Sequence, residues 1–313
     1  MTGAGPAWAT GAAPALVIAH RGDWLEGYRR EGDWREGDRP GPQNSITAVL
    51  AAVAAGADGA EVDARLSADG TVVLHHDAGT GPADTAAGGT APEGTPICAL
   101  ADAALGHLST LAGLLDALDS SAGARRGPVV LDIEKRDLPG EPGWDARHGL
   151  ARREAELLEA RHVESWAPDR RPASGPSAGP GGLQTSAGAG GLQVVVSSFD
   201  PDGLGHFRRY APGTATALLL DEGEDWRHHL AQADNLSAIN PAETMAIPEL
   251  FSEAASRGLA VVPWTVDSPA RAVQLAALGA AGLITNRPRA VLRALGRDRR
   301  PAASKDEARQ KGR

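Results

Sequence analysis

The sequence predicts an α/β fold, a (β/α)8 barrel of the TIM type with a β-hairpin extension after its second strand. Three observations lead there. Short apolar, β-branched runs occur eight times along the chain, and stretches rich in Ala and Leu with helical periodicity separate them. The 313 residues also suffice for one barrel, which takes about 250. Strict alternation of strand and helix means a parallel sheet. Eight units favour closure into a barrel, although the pattern alone also suits an open doubly wound sheet.

The strands are expected at residues 15–20 (ALVIAH), 58–66 (DGAEVDARL), 128–134 (PVVLDIE) and 192–199 (LQVVVSSF). Four more follow at 214–220 (TATALLL), 236–240 (LSAIN), 259–266 (LAVVPWTV) and 281–285 (AGLIT). Helices are expected over 44–56, 108–119, 151–162, 201–210, 226–233, 247–258 and 269–279. Asp200 before Pro201 suits a helix start, and Gly56, Gly258 and Gly279 suit helix ends. The run TVVLHHD (71–77) follows the second strand too closely for a crossover helix. Asp69-Gly70 reads as a two-residue hairpin turn, so this run returns antiparallel. Such a turn sets Asp63 opposite His76 on one face and sends His75 to the other.

Composition bounds the remaining possibilities. Net charge is −9, so no global basic field attracts nucleic acid or an anionic membrane. The bias toward Ala, Gly, Pro and Arg is that of a GC-rich bacterial coding sequence. A single cysteine, Cys98, excludes a disulfide framework and a multi-cysteine zinc site, and it reads as a small buried residue. The N-terminal segment has no basic n-region and no apolar run long enough for a leader or a span, which points to a soluble, cytoplasmic protein. Residues 1–14 and 299–313 are expected to be disordered, flanking a barrel domain over 15–298. Segments 25–41, 78–97 and 167–191 are irregular insertions, the first close enough to act as a lid and the last too poor in apolar residues to order.

Chemistry belongs at the C-terminal ends of barrel strands. There the first strand ends in His20-Arg21-Gly22, the second carries Glu61 and Asp63, and the third ends in Glu134. Residues two apart in a strand share a face, so Glu61 and Asp63 point together and need a cation or a proton between them. Hard carboxylate oxygens suit Mg²⁺ or Ca²⁺ better than Zn²⁺. His20 and His76 then remain as a proton-transfer pair. Each feature has an ordinary reading on its own: a surface hairpin histidine, a charged strand end, a solvated edge. Their joint placement at strand ends favours a site. His206, His228 and His229 fall on helices and read as solvated. Asn240, Ser198, Phe199, Trp264, Asp267 and Asn286 read as rim or packing residues.

The blocks VIAHRGDW and PQNSITAVLAAVAAGADGAEVDARLSADGTVVLHHD resemble the N-terminal signature of glycerophosphodiester phosphodiesterases. VVLDIEKR, VVVSSFDPDGL, GLAVVPWTVDS and GAAGLITNRP resemble the later family blocks, in family order. The resemblance implies a distorted (β/α)8 barrel that hydrolyses glycerophosphodiesters to glycerol 3-phosphate and an alcohol. It implies a divalent metal on Glu61, Asp63 and Glu134, acid–base catalysis by His20 and His76, and phosphate contacts from Arg21. Two departures stand out. Gln43 replaces the family's usual glutamate, and Arg136 stands where a lysine is usual, sharing the face of Glu134 and able to bind phosphate bidentately. The partner is thus a small phosphodiester, with neither nucleic acid nor stable membrane insertion. Two other readings are a phosphodiesterase of lysophospholipids or phosphoinositides, and a non-catalytic binding module of the same fold.

Overall fold

The structure is a computed structural model that describes residues 14–23, 41–121, 128–167, 191–232 and 235–297. The expectations for 1–13, 24–40, 168–190 and 298–313 lie outside these residues. In chain order the elements begin with β1 (Leu16–His20), α1 (Ile46–Ala54), β2 (Gly59–Leu66), β3 (Val72–Leu74) and α2 (Pro82–Ala86). Next come α3 (Leu111–Ser120), β4 (Val129–Lys135), α4 (Gly149–Ala160), β5 (Glu164–Ser165), β6 (Leu192–Ser198) and α5 (Pro201–Tyr210). The chain continues through β7 (Ala215–Leu220), α6 (Trp226–Gln232), β8 (Ala238–Pro241) and α7 (Pro248–Ser256). It finishes with β9 (Ala260–Val261), α8 (Pro269–Ala277), β10 (Gly282–Thr285) and α9 (Pro288–Ala294).

Eight parallel strands run in the order β10-β1-β2-β4-β6-β7-β8-β9. The ring closes through backbone hydrogen bonds from Ala281 N to Val261 O, Ile284 N to Pro263 O and Val266 N to Ile284 O. The (β/α)8 expectation holds. The seventh strand is much shorter than its apolar run, because Pro263 has no N–H to donate to a ladder. Side-chain caps fix several helix starts: Ser45 Oγ accepts from Ala48 N, Thr110 Oγ1 from Gly113 N, and Asp200 Oδ1 from Asp202 N. Within 78–97, expected to be irregular, Gly81 N donates to Asp84 Oδ2 and starts the short α2.

Alternation divides each strand between two environments. Ala60, Val62 and Ala64 of β2 and Leu131 and Ile133 of β4 face outward into the main core under the helices. Ile18, Val130, Val195, Ala217, Ala238, Val262 and Ile284 face inward and fill the barrel's lower half. Each buried Val, Leu or Ile among them contributes about 1.5–3 kcal/mol. Above that apolar floor the inward positions turn polar, which is where chemistry can sit.

The hairpin corrects one expectation. β3 pairs with β2 through Ala64–Leu74, Arg65–Val73 and Leu66–Val72, and Ser67 N donates to Thr71 O. The loop is therefore Ala68-Asp69-Gly70, three residues, with Gly70 at φ +84°. The pairing slips by one, and Asp63 lies across from His75, whose N–H donates to Asp63 O, rather than across from His76. The cause is tertiary. Asp102 accepts from both Ser67 Oγ and Thr71 Oγ1, Asp69 Oδ2 accepts from Asp102 N, and Ala68 N donates to Leu100 O. The tip is thus clamped to a segment more than thirty residues away, and the wider turn satisfies that clamp.

Candidate active site

Glu61, Asp63 and Glu134 converge inside the upper barrel, with one carboxylate oxygen of each within 4.8 Å of the others. Parallel pairing of β2 with β4 sets Asp63 beside Glu134, and all three are buried. Arg21 N donates to Glu61 Oε2 at 3.0 Å. Asn44 Nδ2 donates to Asp63 Oδ2 at 2.8 Å, and Asn44 Oδ1 accepts from Asp63 N at 3.0 Å. Glu61 Oε1 and Asp63 Oδ1 are buried and receive no hydrogen bond among the described residues. Burial, and then the neighbouring carboxylates, hold Glu61 well above the usual carboxylate range. The same causes push Glu134 up to about 7, against the pull of Arg136. Two unmet oxygens in a mutually repelling, desolvated triad are what a hard divalent cation would resolve, so the residues fit such an ion.

Two arginines border the triad. Arg21, at φ +58°, brings Nε to 3.0 Å from Asp63 Oδ2 and donates from Nη1 to Gln43 Oε1 at 3.0 Å. Gln43 thus holds Arg21 by a neutral bond. Arg136 shares the face of Glu134, as alternation required, and donates to Glu134 Oε1 at 2.6 Å. The neighbouring Lys135 turns outward, is wholly buried, and pairs with Asp137.

The histidines have defined tautomers. Asp267 can only accept, and Asn286 Nδ2 donates to its Oδ2 at 2.9 Å. Asn286 Oδ1 therefore faces His20 Nδ1, 2.7 Å away, and Nδ1 carries the proton. His20 Nε2 points toward the triad, 3.8 Å from Glu61 Oε2. Burial, helped by Arg21, lowers His20 to about 4. His76 Nδ1 donates to Asp77 Oδ1 at 2.7 Å. Burial lowers its pKa too, while Asp63 opposes that shift and Arg21 adds to it. The ladder runs on through His75 N to Asp63 O, and the His76 carbonyl is then held beside that of Arg136 by the Arg65 guanidinium. His75 turns away to Asp84, 3.2 Å off, and is mostly buried rather than on the surface.

All seven residues expected at the site gather at one rim. Four contributors were missed or undervalued. Asn44, in left-handed conformation at φ +60°, braces Asp63. Asp132 is a fourth inward carboxylate, bonded by Ser197 Oγ at 2.6 Å and Asn240 Nδ2 at 3.0 Å and raised by burial to about 6. It lies two residues before Glu134, so alternation could have found it. Asn286 orients His20, and Arg65 is the third inward residue of β2 after Glu61 and Asp63. Trp264 Nε1 donates to Asn240 O, and its ring meets Phe199 edge-on at 5.5 Å, forming an aromatic wall. His206 does lie on α5, its ring stacked on that of His148. Among the described residues no helix is long and apolar enough to cross a membrane.

Comparison with known proteins identifies the family and the fold. The glycerophosphoryl diester phosphodiesterase family matches residues 32–129 and 183–290. A glycerophosphodiester phosphodiesterase of Caldanaerobacter subterraneus subsp. tengcongensis is 26% identical over 286 residues, 88% of this chain and 96% of the relative. Among solved structures, a glycerophosphodiester phosphodiesterase from Parabacteroides distasonis has a TM-score of 0.62 at 19% identity, covering 91% of this chain and 98% of its own. A phosphodiesterase from Oleispira antarctica, in complex with the product sn-glycerol-3-phosphate, has a TM-score of 0.62 at 17% identity, covering 90% and 97%. The two structures share the barrel fold with this chain. On the extent of the family match, the chain belongs to the glycerophosphoryl diester phosphodiesterase family.

Proposed function

We propose that the chain hydrolyses glycerophosphodiesters to glycerol 3-phosphate and an alcohol, using a divalent metal and two histidines. The observation that carries this reading is the buried triad of Glu61, Asp63 and Glu134, flanked by Arg21 and Arg136 and approached by His20 and His76. Glu61, Asp63 and Glu134 would hold the ion, with Mg²⁺ and Ca²⁺ the candidates. Bound there, it would supply Lewis-acid polarisation of the phosphoryl group.

The chain's own groups carry the rest. Arg21 and Arg136 neutralise the non-bridging phosphate oxygens as charge builds in the transition state. His20, kept neutral by burial and proton-bearing at Nδ1, presents a basic Nε2 and takes a proton from the attacking water. His76, oriented by its Nδ1 hydrogen bond to Asp77 Oδ1, gives a proton to the leaving oxygen. One P–O bond forms to the attacking oxygen, and one breaks to the leaving alcohol. Residues 15–298 act as one catalytic unit in this reading.

The test is glycerol 3-phosphate release from glycerophosphocholine, with EDTA and with added Mg²⁺ or Ca²⁺. Metal-dependent release is expected. Release that is indifferent to EDTA counts against the metal. No release from any glycerophosphodiester by folded protein favours the binding module instead.

A further inference from the structure

The Arg65 side chain is buried and fully engaged. Its Nε and Nη2 both donate to the His76 carbonyl, at 2.9 and 2.6 Å. Its Nη1 donates to the Arg136 carbonyl at 2.7 Å, and Nη2 also reaches Glu141 Oε2 at 3.0 Å. The sequence fixes where this guanidinium lies. Arg65 continues the inward row of Glu61 and Asp63 and so rises just above the triad. His76 lies two residues beyond β3 and Arg136 one beyond β4, past the last pair of each ladder. Arg136 N still donates to Ala64 O at the edge of the sheet while His76 lies beyond the hairpin ladder, and one planar fork catches the carbonyl of each. Burial works against the charge of Arg65, and Glu141 offsets that.

We propose that Arg65 is the positioning residue of this site: its fork fixes the backbone of His76 against that of Arg136, and so sets the gap between the proton donor and a phosphate-binding cation. The roles of those two residues rest on the phosphodiesterase reading; the clamp itself does not. Lysine cannot substitute, because one ammonium is a point charge without the spread of donors that bridges two carbonyls and a carboxylate. A shift of about an ångström in a catalytic group can cost about a hundredfold in rate.

The experiment compares wild type, Arg65→Lys and Glu141→Gln. Steady-state hydrolysis of glycerophosphocholine is measured with metal, together with ¹⁵N spectra of histidine-labelled protein in which the His76 signals are assigned from His76→Gln. Arg65→Lys is expected to lower kcat about a hundredfold with KM held within about threefold, and to shift and broaden the His76 ring signals alone. Glu141→Gln, at a half-exposed position that folding tolerates, should do the same more weakly, about tenfold in kcat. If Arg65→Lys does not fold, Glu141→Gln decides. Wild-type kcat and unchanged His76 signals in a folded variant overturn the proposal. If wild type hydrolyses no diester, the phosphodiesterase reading fails, and the His76 spectra still decide the clamp.

Discussion

Replacing Asn44 by alanine removes a bracket that touches Asp63 twice. The Asn44 amide donates to Asp63 Oδ2 at 2.8 Å and accepts from Asp63 N at 3.0 Å, wholly away from solvent. Losing a bond to a charged acceptor costs about 1.5–3 kcal/mol, and stranding the buried Asp63 N–H costs about 1–3 kcal/mol. Alanine at φ +60° adds backbone strain of about 1–2 kcal/mol, which asparagine partly escapes through its short polar side chain. Neighbouring groups relax together, so the sum overstates the loss. Asn44→Ala is expected to lower the unfolding free energy by about 4 kcal/mol, and Asn44→Gly, spared the strain, by about 3 kcal/mol. Urea unfolding followed by far-UV circular dichroism measures both. A loss below about 1 kcal/mol for alanine, or a glycine variant less stable than the alanine one, would refute the reasoning.

Three other outcomes follow from the same geometry. Mg²⁺ or Ca²⁺ at about a hundred times its Kd should stabilise the fold by about 2.7 kcal/mol. Glu134→Gln should abolish most of that gain, and a wild-type melting temperature unmoved by either ion counts against the triad as a metal site. Asn286→Leu removes the acceptor that keeps the proton on His20 Nδ1, so kcat should fall about a hundredfold, with little loss of metal-induced stabilisation; undiminished turnover would sink the tautomer argument. Glu154, buried on α4 with neither carboxylate oxygen bonded among the described residues, is held well above its ordinary pKa by burial. Its folded form keeps a proton that the unfolded chain releases above about 4.5, so stability falls as pH rises from that point. Glu154→Gln should therefore gain in melting temperature relative to wild type from pH 5 to pH 8, and an equal difference at both would contradict this.

Much of the site was legible because alternation and strand-end placement are local rules. Glu61 with Asp63 and Glu134 with Arg136 share faces by period alone, and parallel pairing then brings the two rows together. Asp132 obeyed the same rule and was overlooked. The hairpin was legible in place but not in width. Asp69-Gly70 is a two-residue signal, yet contacts to Asp102 and Leu100 select three residues, and distant contacts leave no local trace. His76 nonetheless reaches the site, where Arg65 holds its carbonyl beside that of Arg136. Asn44 and Arg65 act through backbone groups far off in sequence. Only a φ that asparagine tolerates, and a third inward position on β2, hinted at them.

The barrel wall is uneven around its circumference. β2 with β4, and β4 with β6, are each joined by six consecutive residue pairs, while β8 and β9 share two. The metal-ligand candidates are thus mounted where the wall is most heavily cross-linked. The seam at β9 and β10 has few amides in its ladder and a proline that gives none. In native-state hydrogen exchange the seam should open first, as a separate cooperative unit, while the amides of β2 and β4 exchange only near global unfolding. Breathing of the cylinder would then be hinged away from the triad, so the carboxylates could keep their spacing while the opposite wall yields to an entering substrate.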